Sequence, residues 1–258
     1  SAYLSAYHAF PHWLIARWLH RWGFEETERL CETINTVPDI VLRTNTLSCT
    51  RGDLLEHIEK EAKTVKPTPH SPEGVSLSSP HRPLSQWPSF EKGWCQVQSE
   101  AAQCIAHLVD PRPGQEVWDA CAGLGTKTAH MAQLMENRGR ILATDLNEKK
   151  LERLRLEMAK LRIGIVDTLP ADLLQSEKVR ITDKFDRILV DAPCTGMGVL
   201  QRNPDGKWRH GKDAIQINHS RQITLLENVA PCLKAGGLLV FAVCSFEPEE
   251  NEEVIRAF

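Results

Sequence analysis

Val117-Trp118-Asp119-Ala120-Cys121-Ala122-Gly123-Leu124-Gly125-Thr126-Lys127-Thr128 is the stretch whose reading decides the fold. It runs as a short apolar strand, a glycine-bearing turn and the start of a helix. Gly123 and Gly125 permit a tight turn and close approach of the backbone to a ligand, and a helix start offers free amide donors. Twenty residues after Gly125 comes Asp145, at the end of the next predicted strand, where a carboxylate can accept both hydroxyls of a ribose. A dinucleotide fingerprint asks for a third glycine where Thr128 stands. The pattern therefore points to a nucleoside cofactor without a pyrophosphate, held by Cys121, Ala122, Gly123, Leu124, Gly125, Thr126, Lys127 and Asp145. Asp172, after the third strand, is the candidate acid beside the base. The competing reading is a packing turn with surface aspartates at strand ends.

Outward from this loop the rhythm is regular. Periodicity predicts a helix near 98–109, strand 115–119, helix 126–136, strand 140–144, helix 147–160, strand 186–191, helix 213–230 and strand 237–243. Strands alternating with helices of that length imply an α/β class: a Rossmann-like, doubly wound, mainly parallel sheet whose ligands bind beyond the strands' carboxyl ends. Upstream, residues 11–35 read as two short helices, with Trp13, Leu14, Trp18 and Leu19 on one side and Glu25 opening the second after Gly23. Ile40-Val41-Leu42 reads as a strand, 51–61 as a helix, and the Pro-, Ser- and His-rich stretch up to Pro88 as loops. The division expected is a helical lead-in over 1–37, a small α+β module over 38–93, in which RNA binding and plain packing weigh equally, and the sheet domain over 94–258.

Two further strand ends carry chemistry. One delivers Asp191-Ala192-Pro193-Cys194 and the other Val243-Cys244-Ser245 to the same expected edge, so Asp191, Cys194 and Cys244 can converge on the cofactor. A thiolate nucleophile with a second thiol and a carboxyl group nearby suggests covalent catalysis. Free cysteine is also a common small core residue, and the residues alone leave open which thiol attacks. Lys127 and a helix after Pro248 are candidates for lowering its pKa. Gln201 to Lys212 is the locally basic, aromatic loop, with Arg202, Lys207 and Trp208 as candidate RNA contacts.

The totals set limits. With 258 residues, 41% hydrophobic and 25% charged, the chain suits one sizeable domain and a smaller one, and no apolar run spans a bilayer. A net charge of −3 means that any nucleic-acid site must be local. Eight cysteines without a CxxC pair predict reduced, cytoplasmic thiols, no disulfide framework and no metal.

These motifs resemble the NOL1/NOP2/Sun family of RNA cytosine-5 methyltransferases, most closely its bacterial Sun (Fmu) branch, over nearly the whole chain. The resemblance rests on Gly93-Trp94, Val97-Gln98, the loop ending Lys127-Thr128, Asp145, Asp172, Asp191-Ala192-Pro193-Cys194, Arg202-Asn203-Pro204-Asp205 with Lys207-Trp208, and Cys244-Ser245 with Pro248-Glu249-Glu250-Asn251. It implies S-adenosylmethionine at residues 121–127, Asp145, Asp172 and Asp191, with ribosomal RNA as partner. It also implies attack on carbon 6 of cytosine by Cys244, release assisted by Cys194, and a monomer without membrane attachment. The family's loop usually reads Ala-Ala-Pro-Gly-Gly-Lys, against Ala122-Gly123-Leu124-Gly125-Thr126-Lys127 here. The resemblance further implies that both ends are truncated relative to the family. The rival reading is a catalytically weak RNA-binding or ribosome-assembly factor on the same fold, against which both cysteines and Asp191 argue.

Overall fold

The computed structural model describes residues 1–175, 181–182 and 184–258. The chain forms two compact units: a sheet unit of Asp39–Asp191 and Asn228–Ala242, and a helical unit of Ser1–Pro38, Ala192–Glu227 and Val243–Phe258.

The sheet unit contains two sheets. The first joins β1 (Ile40–Thr44), β2 (Ala62–Pro67), β3 (Gly74–Pro80) and β4 (Cys95–Val97) in the order β2-β3-β1-β4. Its pairs are antiparallel, with Leu42 opposite both Val75 and Val97. The Arg51–Ile58 helix covers it, started by a capping box in which Thr50 and Asp53 exchange side-chain-to-backbone bonds. Leu42, Leu54, Ile58, Val75, Leu77 and Trp87 form its core. Strands β2 and β3 lie within the stretch expected to be loops. β2 is an edge strand, mostly exposed, with Ala62 buried and Val65 half-buried between the solvent-facing lysines Lys63 and Lys66.

The second sheet is parallel, with β5 (Glu116–Asp119), β6 (Arg140–Asp145), β7 (Val166–Pro170), β8 (Phe185–Asp191) and β9 (Leu233–Ala242) in the order β7-β6-β5-β8-β9. The chain steps outward from β5 to β7, then returns to lay β8 on the other side of β5. The order thus reverses between β5 and β8, where doubly wound sheets bind ligands. In register, Asp119 faces Ala143 and Leu189, Asp145 faces Pro170, and Asp191 faces Ala242. One edge therefore collects Asp119, Asp145, Asp191 and, two residues beyond β7, Asp172. Leu151, Leu154 and Met158 of the Glu148–Lys160 helix are buried at helical spacing and join Val117, Ile141 and Leu189 in the core.

In the helical unit, Ala2–His8 is followed by His12–Ile34, which is interrupted at Gly23 (φ 77°, ψ −176°). The two halves of His12–Ile34 are the two helices expected over 11–35, meeting at a kink, while Ala2–His8 is a further helix that the sequence reading did not include. Leu4, Phe10, Leu14, Ile15 and Trp18 pack with Met197 and Leu200, so the beginning of the chain is buried by residues nearly two hundred positions away.

Candidate active site

Each unit brings together one group of the expected residues. In the sheet unit the group is built on the loop after β5. Gly123 (φ 57°) and Gly125 (φ 82°) both take left-handed backbone conformations. At Gly125 a Cβ would lie 2.5 Å from Leu154 Cγ, so the helix behind the loop requires glycine there. At Gly123 a Cβ would meet nothing within 4 Å, leaving open space on the ligand side. The Gly123 amide donates to Asp145 Oδ2 at 3.0 Å, and the Asn147 amide to Oδ1 at 2.8 Å. Each carboxylate oxygen keeps lone-pair capacity for a hydroxyl. The Thr126–Leu134 helix has no side-chain cap at Gly125, which leaves its first turn suited to an anionic group. Asp172 accepts the Leu174 amide at 3.1 Å and the Gln175 side-chain amide at 2.5 Å, so it is already braced within its own turn.

Lys127 Nζ lies 2.6 Å from Asp191 Oδ2. The lysine that sequence reasoning offered to a thiol is thus paired with a carboxylate. Burial, then the carboxylates of Asp119, Asp145 and Asp191, push the Cys121 thiol up to about 12.

Two residues of this group escaped the sequence reading. Asp119 is buried, with Oδ2 accepting from Thr128 Oγ1 at 2.6 Å and Oδ1 left without a hydrogen bond. Burial raises its carboxyl to about 7 against the opposing Thr128 bond. Only its place at the strand end signalled it. Arg43 of β1, also buried, donates to the Thr126 carbonyl at 2.7 Å and to Gln133 Oε1 at 3.1 Å, and pairs with Gln96 and Gln98. It ties the small sheet to the start of the loop helix. Nothing in the alternation of β1 marked it.

In the helical unit Cys194 Sγ lies 3.3 Å from Cys244 Sγ. Cys244 is exposed and Cys194 half-buried. Gly198 makes the approach possible: its amide donates to the Cys244 carbonyl at 2.9 Å, and a Cβ would lie 3.0 Å from that oxygen. The hydrogen bond with Cys244, reinforced by burial, raises the Cys194 thiol. Glu250 fixes the loop. Fully buried, it accepts the Thr195 amide at 2.8 Å, the Thr195 hydroxyl and the Asn218 side-chain amide at 3.0 Å. Glu247, equally buried, accepts from Trp18 Nε1 at 2.9 Å and Arg17 Nε at 2.5 Å. These acids, visible in the sequence only as a polar stretch, position the cysteine segments. Pro248–Glu250 is a single 3-10 turn, and the helix expected after Pro248 follows it at Glu252–Ala257.

The basic loop divides. Arg202 is exposed and Trp208 63% exposed. Lys207 is buried, with Nζ 2.5 Å from Asn35 Oδ1 and 3.8 Å from the Phe10 ring centroid. Its inward ammonium corrects the expectation of a phosphate contact, because the side chain turns back onto the buried Phe10 ring and the Asn35 side chain. A cleft of about 680 Å³ in this unit is lined by Trp13, Arg17, His20, Arg21 and Lys212 among others. Among the described residues no helix is long and apolar enough to cross a membrane.

Residues 106–258 match the family model for 16S rRNA methyltransferase RsmB/F, and residues 10–83 match the ferredoxin-like domain of RsmF/B-like methyltransferases. The "Probable ribosomal RNA small subunit methyltransferase B" of Synechocystis sp. is 34% identical over 99% of this chain and 57% of its own length. The "Ribosomal RNA small subunit methyltransferase B" of Pseudomonas syringae pv. tomato is 35% identical over 97% of this chain and 55% of its own. The chain thus spans a little over half the length of these relatives. A crystal structure of a methyltransferase homolog protein from Pyrococcus horikoshii superposes with a TM-score of 0.86 at 32% identity, covering 98% of this chain and 80% of that one. The family match, the identity along the chain and the shared fold agree: the chain belongs to the RsmB/F family, the bacterial branch of the NOL1/NOP2/Sun methyltransferases.

Proposed function

We propose that the protein methylates carbon 5 of a cytosine in RNA, with small-subunit ribosomal RNA as substrate, through a covalent adduct. The observation that carries this reading is the contact of two thiols at 3.3 Å, one exposed and one half-buried. The names of the relatives support ribosomal RNA. S-adenosylmethionine is the cofactor, and when bound it supplies an electrophilic methyl group. The residues that would hold it are the 121–127 loop, with its open space at Gly123, and Asp145, Asp172 and Asp191. Arg202 and Trp208 are the proposed RNA contacts, joined by Arg17, Arg21 and Lys212 of the basic cleft. The small module over 38–93 is proposed as an additional RNA contact.

Carbon 5 of cytosine is a weak nucleophile, and addition of a thiolate at carbon 6 turns carbons 4 to 6 into an enamine-like system. Cys244 makes that bond, and the electron pair of the carbon 5–carbon 6 double bond moves toward ring nitrogen 3, the position assigned to Asp191. Once the Cys244 sulfur is bonded to carbon it carries no negative charge. Loss of that charge weakens the hold on the Cys194 proton, which passes to solvent. The displaced electron pair would return through carbon 5 to bond the methyl group that the cofactor supplies. The Cys194 thiolate then takes the proton from methylated carbon 5, the double bond reforms, and Cys244 leaves as thiolate.

Denaturing electrophoresis after incubation with substrate RNA and S-adenosylmethionine tests this in the full-length enzyme. Cys194→Ala is expected to accumulate a covalent protein–RNA band, and Cys244→Ala to give none. The reverse pattern would exchange the two roles. Methylation intact in both variants with no band in either would remove the covalent mechanism and favour an RNA-binding factor.

A further inference from the structure

Glu73, His107 and His130 come from three separate elements of the sheet unit: the turn before β3, the last turn of the Glu100–Val109 helix and the middle of the Thr126–Leu134 helix. Glu73 Oε2 lies 2.9 Å from His107 Nε2 and 3.6 Å from His130 Nε2. One ligand atom from each residue falls within 4.8 Å of the others. We propose that these three side chains bind one divalent transition-metal ion of the zinc type, clamping the small antiparallel sheet to the helices that cover the parallel one.

The geometry suits such an ion. Metal–ligand bonds of about 2.0–2.1 Å in a tetrahedral arrangement place ligand atoms roughly 3.3 Å apart. The two distances to Glu73 bracket that value. Two imidazoles and one carboxylate form a donor set typical of zinc, with a fourth position for water.

His130 supplies an independent reason. It is fully buried, and neither ring nitrogen has a hydrogen-bond partner. A buried imidazole without a partner is costly, and a metal on Nε2 gives it one. His107, 34% exposed, offers the entry path. The ligands are 34 and 23 residues apart in sequence, and no spacing rule for cysteine or histidine motifs could reveal them. The expectation of no metal, drawn from cysteine spacing, did not address this cluster.

The test is titration of the chelator-stripped, dialysed protein with Co²⁺ and, in competition with a chromophoric chelator, Zn²⁺. One equivalent is expected to bind with visible d–d bands and without the near-ultraviolet thiolate charge-transfer band. Zinc is expected to raise the melting temperature. His107→Ala, at the accessible side, and Glu73→Gln, which keeps the shape of a buried side chain, should each weaken binding by about tenfold or more and abolish the thermal shift. Absence of stoichiometric binding, a thiolate band, or binding unchanged in both variants would overturn the proposal.

Discussion

Asp119 illustrates what a single buried carboxyl does to the pH dependence of the fold. Its carboxyl is held near 7, against about 3.9 in an unfolded chain. Below pH 4 it is protonated in both states. Between pH 4 and 7 unfolding releases its proton, so its contribution to stability falls as pH rises and levels off above 7. Asp119→Asn keeps an acceptor for the Thr128 hydroxyl and removes that slope. Urea melts should therefore show the variant gaining on the parent from pH 5 to 8, by at most roughly 3 kcal/mol. An unchanged difference across that range would mean that Asp119 is ionised in the folded protein. Asp145 acts on the ligand instead. Asp145→Ala is expected to weaken S-adenosylmethionine binding by about 1–3 kcal/mol, measured by calorimetry, since it removes the acceptor proposed for two ribose hydroxyls. Lys207 and Arg202 differ in kind although they stand five residues apart. Arg202→Ala should lower the salt dependence of RNA affinity by about one unit of slope. Lys207→Ala should cost stability through Asn35 and Phe10 and leave the slope unchanged.

At the scale of elements, the kink at Gly23 offers the cleanest probe. Its φ of 77° and ψ of −176° lie in a region open essentially to glycine alone, and a Cβ there would meet nothing within 4 Å. Gly23→Ala therefore isolates backbone strain, expected at about 1–3 kcal/mol in a denaturant melt, with cofactor affinity unaltered. The break was legible because the apolar spacing of Trp13, Leu14 and Trp18 stops at a glycine. The parallel strands were legible for a related reason: β5, β6 and β8 are apolar runs between helices, and each ends in an aspartate. β2 and β3 were not. Their Ser, Pro and Lys content imitates a loop, and only pairing with β1 gives Val75 and Leu77 a buried side. The cofactor loop and the two cysteines were likewise readable, since strand ends and glycines announce them. Arg43, Glu250 and the Glu73–His107–His130 cluster depend on partners distant in sequence, and no local pattern encodes them.

At the scale of the whole molecule, the parallel sheet grows outward and back, whereas the helical unit is assembled from three separated segments, Ser1–Pro38, Ala192–Glu227 and Val243–Phe258. During synthesis the first of these emerges some 150 residues before its partners. Until Met197, Leu200 and Phe246 leave the ribosome, the apolar face of Leu14, Ile15 and Trp18 has no native cover. The small sheet can meanwhile close on itself, because β1 to β4 lie within Ile40–Val97. The order of birth is therefore not the order of completion: residues 1–38 precede the sheet unit yet are among the last to be buried, and a chain stalled near residue 190 presents a sticky helix for the whole of the pause.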